Sequence, residues 1–199
     1  MPGSIKIDDG SGNYTILTNA GSLGSDKTIT IPNETATLAT TNGVTNFDEW
    51  GLNADVNSDG YITANVSRVS GTLQPAYKGS GMSFSSGAWT FPTTGMWLVQ
   101  VQVTGEATDA PFAEIMIYAS NDNFSSSEAL VNEIYIGQRG NPGATGQTAT
   151  GSSLFDIANT STNKIKFKTG NLDSNNYIYG DSGNGKSRTN FKFIRLGDT

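Results

Sequence analysis

The segment Ala88 to Thr104, AWTFPTTGMWLVQVQVT, constrains the fold of this chain more than any other. A Pro-Thr-Thr-Gly turn abuts a strictly alternating run, with Trp97, Val99, Val101 and Val103 on one face and Leu98, Gln100, Gln102 and Thr104 on the other. A period of two is that of a half-buried strand, because a helix brings together residues three and four apart. Pro92 and Gly95 set where the strand starts, the first by presetting φ and the second by tolerating turn conformations closed to other residues.

Composition extends the β reading to the rest of the chain. The 199 residues include 24 glycines among abundant Ser, Thr and Asn, and few stretches carry apolar residues at helical spacing. That length holds one sizeable core and a smaller segment. Strands are predicted over Tyr61–Val69, Trp89–Phe91, Met96–Thr104, Phe112–Ala119, Val131–Ile136, Leu154–Ala158, Lys164–Thr169 and Phe191–Leu196, with turn residues in every gap. The expectation is an all-β jelly-roll β-sandwich. In KIKFK, Ile165 and Phe167 should be buried while Lys164, Lys166 and Lys168 stay in water and guard a sheet edge. In the ending TNFKFIRLGDT, Phe191 and Phe193 share one face and Ile194 and Leu196 the other, so this strand needs a partner on both sides.

The missing residue types exclude much chemistry. Without histidine or cysteine there is no imidazole base, thiol nucleophile, disulfide or zinc cluster. A net charge of −6 argues against nucleic acid, whose binding rests on concentrated Lys and Arg. The opening MPGSIKIDDG lacks a basic stretch followed by an apolar run, and no segment has the apolar length of a membrane span, so neither a secretory leader nor membrane insertion is expected.

Three motifs invite functional readings. Asp55, Asn57, Asp59 and Gly60 in DVNSDGYI match the first half of a calcium loop, with Tyr61 offering a carbonyl, but Val66 stands where a bidentate carboxylate is needed. The competing reading is a hairpin turn on Asp59-Gly60. Gly137, Gly140, Gly143 and Gly146 recur every third residue, yet four triplets inside a sandwich read as an exposed loop, not a collagen stem. Glu106, Asp109 and Glu114 flank the Ala110-Pro111 turn; a glycosidase needs two carboxylates across a cleft, and Glu114 should instead alternate outward from Ile115 and Ile117 as solvated charge. No catalytic, cofactor-binding or metal-ligating residue is assigned. The better binding candidates are the aromatics Trp50, Tyr77, Trp89, Tyr118, Tyr177 and Tyr179 and the polar segment 171–190.

Residues 1–45 differ in texture, with Tyr14, Ile16, Ile29, Ile31 and Leu38 too sparse to form a core in one copy, which separates them from a head spanning 46–199. The FPTTG turn opening a long strand resembles the jelly-roll heads of complement and tumour-necrosis-factor-type proteins, and TITIPNETATLAT resembles a segment near the N-termini of tailed-phage fibre and appendage proteins. Together with FKFIRLGDT, these segments make the chain similar to small virion structural proteins of tailed phages, particularly those of marine hosts. The resemblance implies a non-enzymatic, homotrimeric virion component: an N-terminal anchor or stem contacting other virion proteins, a head with a central C-terminal strand, and display toward a host-surface glycan or protein. Two alternatives stay open. One is a capsid decoration or head-fibre protein without a receptor; the other is a monomeric calcium-dependent carbohydrate-binding module.

Overall fold

The computed structural model describes residues 4–8, 14–18, 44–138, 146–181 and 187–199. The chain divides into two compact units, Met1–Thr40 and Thr41–Thr199. In the first, β1 (Ser4–Asp8) and β2 (Tyr14–Thr18) pair antiparallel, Ser4 opposite Thr18.

The second unit continues with β3 (Phe47–Leu52), β4 (Gly60–Tyr61), β5 (Val66–Arg68), β6 (Tyr77–Lys78), β7 (Ser83–Ser85), β8 (Ala88–Thr90) and β9 (Gly95–Ala107). It then runs through β10 (Phe112–Ser120), β11 (Ala129–Gly137), β12 (Gln147–Ile157), β13 (Lys164–Gly170), β14 (Asn176–Ile178) and β15 (Asn190–Gly197). No helix occurs among the described residues. The strands form two antiparallel sheets. One has the order β11-β10-β13-β8-β7 with β4 on β13; the other has the order β12-β9-β15-β3-β5 with β14 on β9 and β6 on β3. Neighbours in these sheets are mostly distant in sequence, and the C-terminal β15 lies centrally between β9 and β3.

Side chains from both sheets meet in one core. Trp97, Val99, Val101 and Val103 on β9 are all buried, as their alternation requires. Trp89 and Phe167 from one sheet face Phe191 and Phe193 from the other. Phe167 stacks on Phe191 at 4.2 Å between ring centroids, and Trp89 lies 4.9 Å from Phe167 and 5.6 Å from Phe191. Offset and edge-on pairs of this kind suit the ring quadrupoles and add to the gain from burying their area. A charged pair braces the edge: Asp48, 1% exposed, accepts from Arg68 Nε at 3.1 Å and from the Met82 amide at 2.6 Å. The Arg68 guanidinium lies between the rings of Trp50 and Tyr77, at 4.7 and 4.8 Å.

Several sequence expectations change. Tyr61–Val69 is two short strands in different sheets, interrupted at Asn65, whose φ of 57° is left-handed. Gly60 opens β4 against Thr169, so Asp59-Gly60 is not a hairpin turn. The lysine-bearing β13 is an interior strand, flanked by β10 and β8, and therefore guards no edge. Of the glycine triplets, Gly140 and Gly143 lie outside the described residues, and Gly146 lies against the ring of Tyr179.

Truncating Phe167 to Ala removes the ring that stacks between the sheets. Chemical denaturation is expected to show a loss of about 3–5 kcal/mol, the cost of emptying a buried aromatic site; a loss below about 1 kcal/mol would mean the sheets are held by something other than this cluster.

Candidate functional site

The register places apolar residues in a row across the outer face of the seven-stranded sheet. Leu154 on β12 pairs with Leu98 on β9, Leu98 with Ile194 on β15, and Ile194 with Phe47 on β3. None belongs to the core cluster, and Leu154 is 59% exposed. The next row is polar: Ser152, Gln100, Lys192 and Glu49, with Lys192 Nζ 3.9 Å from Glu49 Oε1. At the adjoining edge β11 exposes Leu130 and Val131, and Asn132 Nδ2 donates to Ser152 O and Ser153 Oγ at 3.0 Å, tying β11 to β12. Leu196 is exposed as well, after a register shift between Arg195 and Gly197. Ile194 and Leu196, on the second face of β15, thus lie outside the core cluster of the described residues.

The outer face of the six-stranded sheet carries cations among aromatic rings. Lys166 Nζ lies 5.1 Å from the Tyr61 ring and 4.3 Å from Phe124; Lys168 Nζ lies 5.7 Å from Tyr61 and 5.8 Å from Tyr118. Tyr61 packs edge-on against Tyr118 and donates its hydroxyl to Glu128 at 2.6 Å; burial, aided by that bond, raises its pKa. The 121–127 loop beside it is organised by Asp122. Its carboxylate accepts from Ser120 Oγ and Ser126 Oγ at 2.6 Å and from the Ser126 and Ser127 amides at 3.0 Å, bonds that hold its pKa well below the usual carboxylate range.

The sequence motifs take other roles. Asp55 Oδ1 accepts from the Gly180 amide and Asp59 Oδ1 from the Leu172 amide, both at 2.8 Å, so the two carboxylates of the calcium-like loop tie down the segment after β13. Among the described residues no group of three or more acidic side chains is placed to hold a metal ion. Glu106 accepts from the Tyr179 hydroxyl at 2.7 Å, and Asp109 from the Asn175 amide group. Glu114 departs from expectation. It is 8% exposed, lies against Gly170, and has Oε1 bonded to Asn171 at 3.3 Å while Oε2 has no partner among the described residues. Burial pushes its carboxyl above the usual carboxylate range, Glu133 and Asp59 add to the rise, and Lys168 opposes it. The three carboxylates serve separate local contacts.

Of the candidate aromatics, Trp89 is core, Trp50 packs against the core, and Tyr177 and Tyr179 meet edge-on above Glu106. Tyr77 is 47% exposed, and Tyr118 belongs to the lysine face. Phe124 was not singled out from sequence, and Tyr61 and Lys166 were named for other roles, a loop carbonyl and an edge guard; the available signal was a lysine next to a buried aromatic on an alternating strand.

No protein-family model matches the chain, nor does any curated protein. Among solved structures, murine APRIL at pH 8.5 is similar over 76% of this chain and 98% of its own, with TM-score 0.53 and 9% identity. Eiger TNF from S. frugiperda is similar over 77% and 94%, with TM-score 0.54 and 9% identity. PRD1 vertex protein P5 aligns over 78% and 100% with 16% identity, but its TM-score of 0.42 is too low to carry a shared fold. The larger unit is thus a jelly-roll sandwich of the tumour-necrosis-factor type.

Glu114 makes stability depend on pH. A carboxyl whose pKa is raised on folding binds its proton more tightly when folded, so its ionisation costs stability above the ordinary value of 4.5, and that cost is relieved as pH falls through the raised value. Glu114→Gln is expected to melt at a higher temperature than the native chain at pH 7, with the gap closing as pH approaches 4.5. A gap unchanged with pH would show that the ionisation of Glu114 carries no cost.

Proposed function

We propose that this chain is a non-enzymatic structural protein that assembles as a homotrimer, with the jelly roll as the head of a virion appendage and residues 1–45 as its anchor or stem. The row Leu154-Leu98-Ile194-Phe47 carries the reading: four apolar residues on the outer face of a sheet whose other face already fills the core. A sheet covered on one side normally presents polar residues on the other.

The position of the apolar residues favours a ring over a twofold dimer. The apolar residues fall in two places, the half-buried row that ends in exposed Leu154 on the sheet face and the exposed Leu130 and Val131 on the β11 edge, and in a ring every subunit can meet its neighbour's edge with its own face. Face against edge is a heterologous contact, and it closes when the rotation between subunits divides a full turn. Three subunits repeat each surface contact three times, so a weak host-surface site gains by avidity. The virion assignment rests on the resemblance of TITIPNETATLAT and FKFIRLGDT to phage appendage proteins. A capsid decoration protein would use the same assembly face without a receptor, and labelling intact particles separates the two by whether the signal lies on tail or capsid.

Light scattering on the purified chain is expected to give three times the 21.0 kDa monomer mass. Leu98→Asp combined with Ile194→Asp places two carboxylates in the row and is expected to give folded monomers. A native mass of one chain would refute the assembly. Removal of residues 1–45 is expected to leave the head folded and to abolish incorporation into particles; incorporation at normal copy number would refute the anchor.

A further inference from the structure

The sheet face opposite the proposed subunit contact holds a cavity of about 350 Å³ lined by Ser85, Ser86, Thr90, Phe124, Lys164 and Lys166. That volume lies within the ~300–1,000 Å³ range of small-ligand sites. In a chain of net charge −6, neither Lys164 nor Lys166 has a carboxylate within salt-bridge distance among the described residues. Lys164 Nζ donates to Thr90 Oγ1 at 2.6 Å and Thr160 O at 3.2 Å, leaving one of its three N–H groups unspent. Among the described residues Lys166 lies over ring faces and has no hydrogen-bond or ion-pair partner, so its N–H groups are open to a ligand. The two lysines stand two residues apart on one face of β13, about 6.6 Å along the strand, a gap that one anionic group can bridge.

The backbone of the 121–127 loop supplies a second, independent observation. Asn123 and Phe124 both adopt left-handed φ, 61° and 57°. Asparagine tolerates this region, but for a bulky aromatic it is an outlier that the surroundings must hold. Here the Phe124 amide donates to Ser120 Oγ at 2.9 Å and the Asn123 amide to Thr162 O at 2.9 Å. The strain places an aromatic ring, half-buried, at the wall of the cavity beneath Lys166. Strain maintained at a cavity wall has a direct reading as preorganisation for a ligand.

We propose that this cavity binds an acidic sugar, a uronic acid-type residue of a surface glycan, with its carboxylate between Lys164 and Lys166 and its ring against Phe124. Aromatic faces suit the apolar C–H surface of a sugar, and the Ser85, Ser86 and Thr90 hydroxyls offer hydrogen bonds to its hydroxyl groups. An inorganic anion would use the two lysines but make little of the ring and the hydroxyls that line the same cavity. The site gives the host-surface display proposed above a ligand class and rests on that reading only for its biological use, since it lies on the sheet away from the apolar row and is present in a single chain.

Saturation-transfer NMR on the full chain, titrated separately with glucuronate, glucose and acetate at constant ionic strength, tests it. Glucuronate is expected to bind saturably, with glucose and acetate each at least about tenfold weaker, because each lacks one of the two recognised features. Lys166→Gln is expected to weaken glucuronate by about tenfold. Phe124→Gly relieves the left-handed strain and so keeps the fold, yet it should weaken glucuronate while leaving acetate unchanged. Acetate binding as well as glucuronate, or unchanged glucuronate affinity in both variants, would falsify the sugar site. Light scattering on the same sample reads assembly separately, so loss of the sugar site leaves the trimer standing and a monomeric mass leaves the sugar site standing.

Discussion

The structure depends on aromatic packing between its two sheets. Trp89 and Phe167 from β8 and β13 meet Phe191 and Phe193 from β15, and each of the four is buried to 0% exposure. Strand side chains alternate with a period of two, so seating these rings inward also decides what faces outward. Phe193 inward puts Ile194 on the outer face of its sheet; Ile165 and Phe167 inward put Lys164, Lys166 and Lys168 on the outer face of theirs. Both surfaces given a role in the proposals follow from the same buried contact. A one-residue slip of β15 would destroy the core and the apolar row together, and a slip of β13 the core and the lysine face.

Strands were legible where one face was apolar and large, as in β9, β10, β13 and β15. They were illegible where packing demanded other residues. β12 was legible only at its C-terminal end, where the predicted Leu154–Ala158 falls; ahead of it the core-side positions are Ala149, Gly151 and Ser153, and a side chain at Gly151 would meet Ile134 Cγ1 at 2.4 Å. Close approach of β11 forces these residues to be small, which removes the apolar alternation that marks a strand. β3 was hidden for a different reason. Its inward positions include Asp48, which reads as a loop residue until Arg68 of β5 supplies the buried partner. Asn65 broke a predicted strand because left-handed backbone is inaccessible to sequence periodicity.

The candidate binding face was still less legible. Phe124 and Lys166 lie 42 positions apart and meet only because β13 pairs with β10 and the following loop folds back under Asp122. Four serines around one aspartate carry no periodicity to mark a structure, yet their hydroxyl and amide groups cap the carboxylate and fix the turn. Glu114 shows the reverse error. Its place in the alternation does point away from Ile115 and Ile117, but Gly170 on the neighbouring strand has no side chain, and the carboxylate settles over that backbone instead of reaching water.

The two outer faces differ in chemistry in a way that suits different occupants. The seven-stranded sheet ends in a row of aliphatic and aromatic side chains, which gains free energy only by leaving water and has no directional preference. The six-stranded sheet instead presents ammonium groups held over rings beside hydroxyls, where affinity comes from geometry and charge and little from area. Placing the apolar row against another subunit removes it from water permanently while leaving the lysine face outermost. Exchanging the roles would bury Lys164 and Lys166 without carboxylate partners, at the steep cost of desolvating unpaired charge. The proposal that one face serves assembly and the other recognition thus follows from which of them can tolerate being dry.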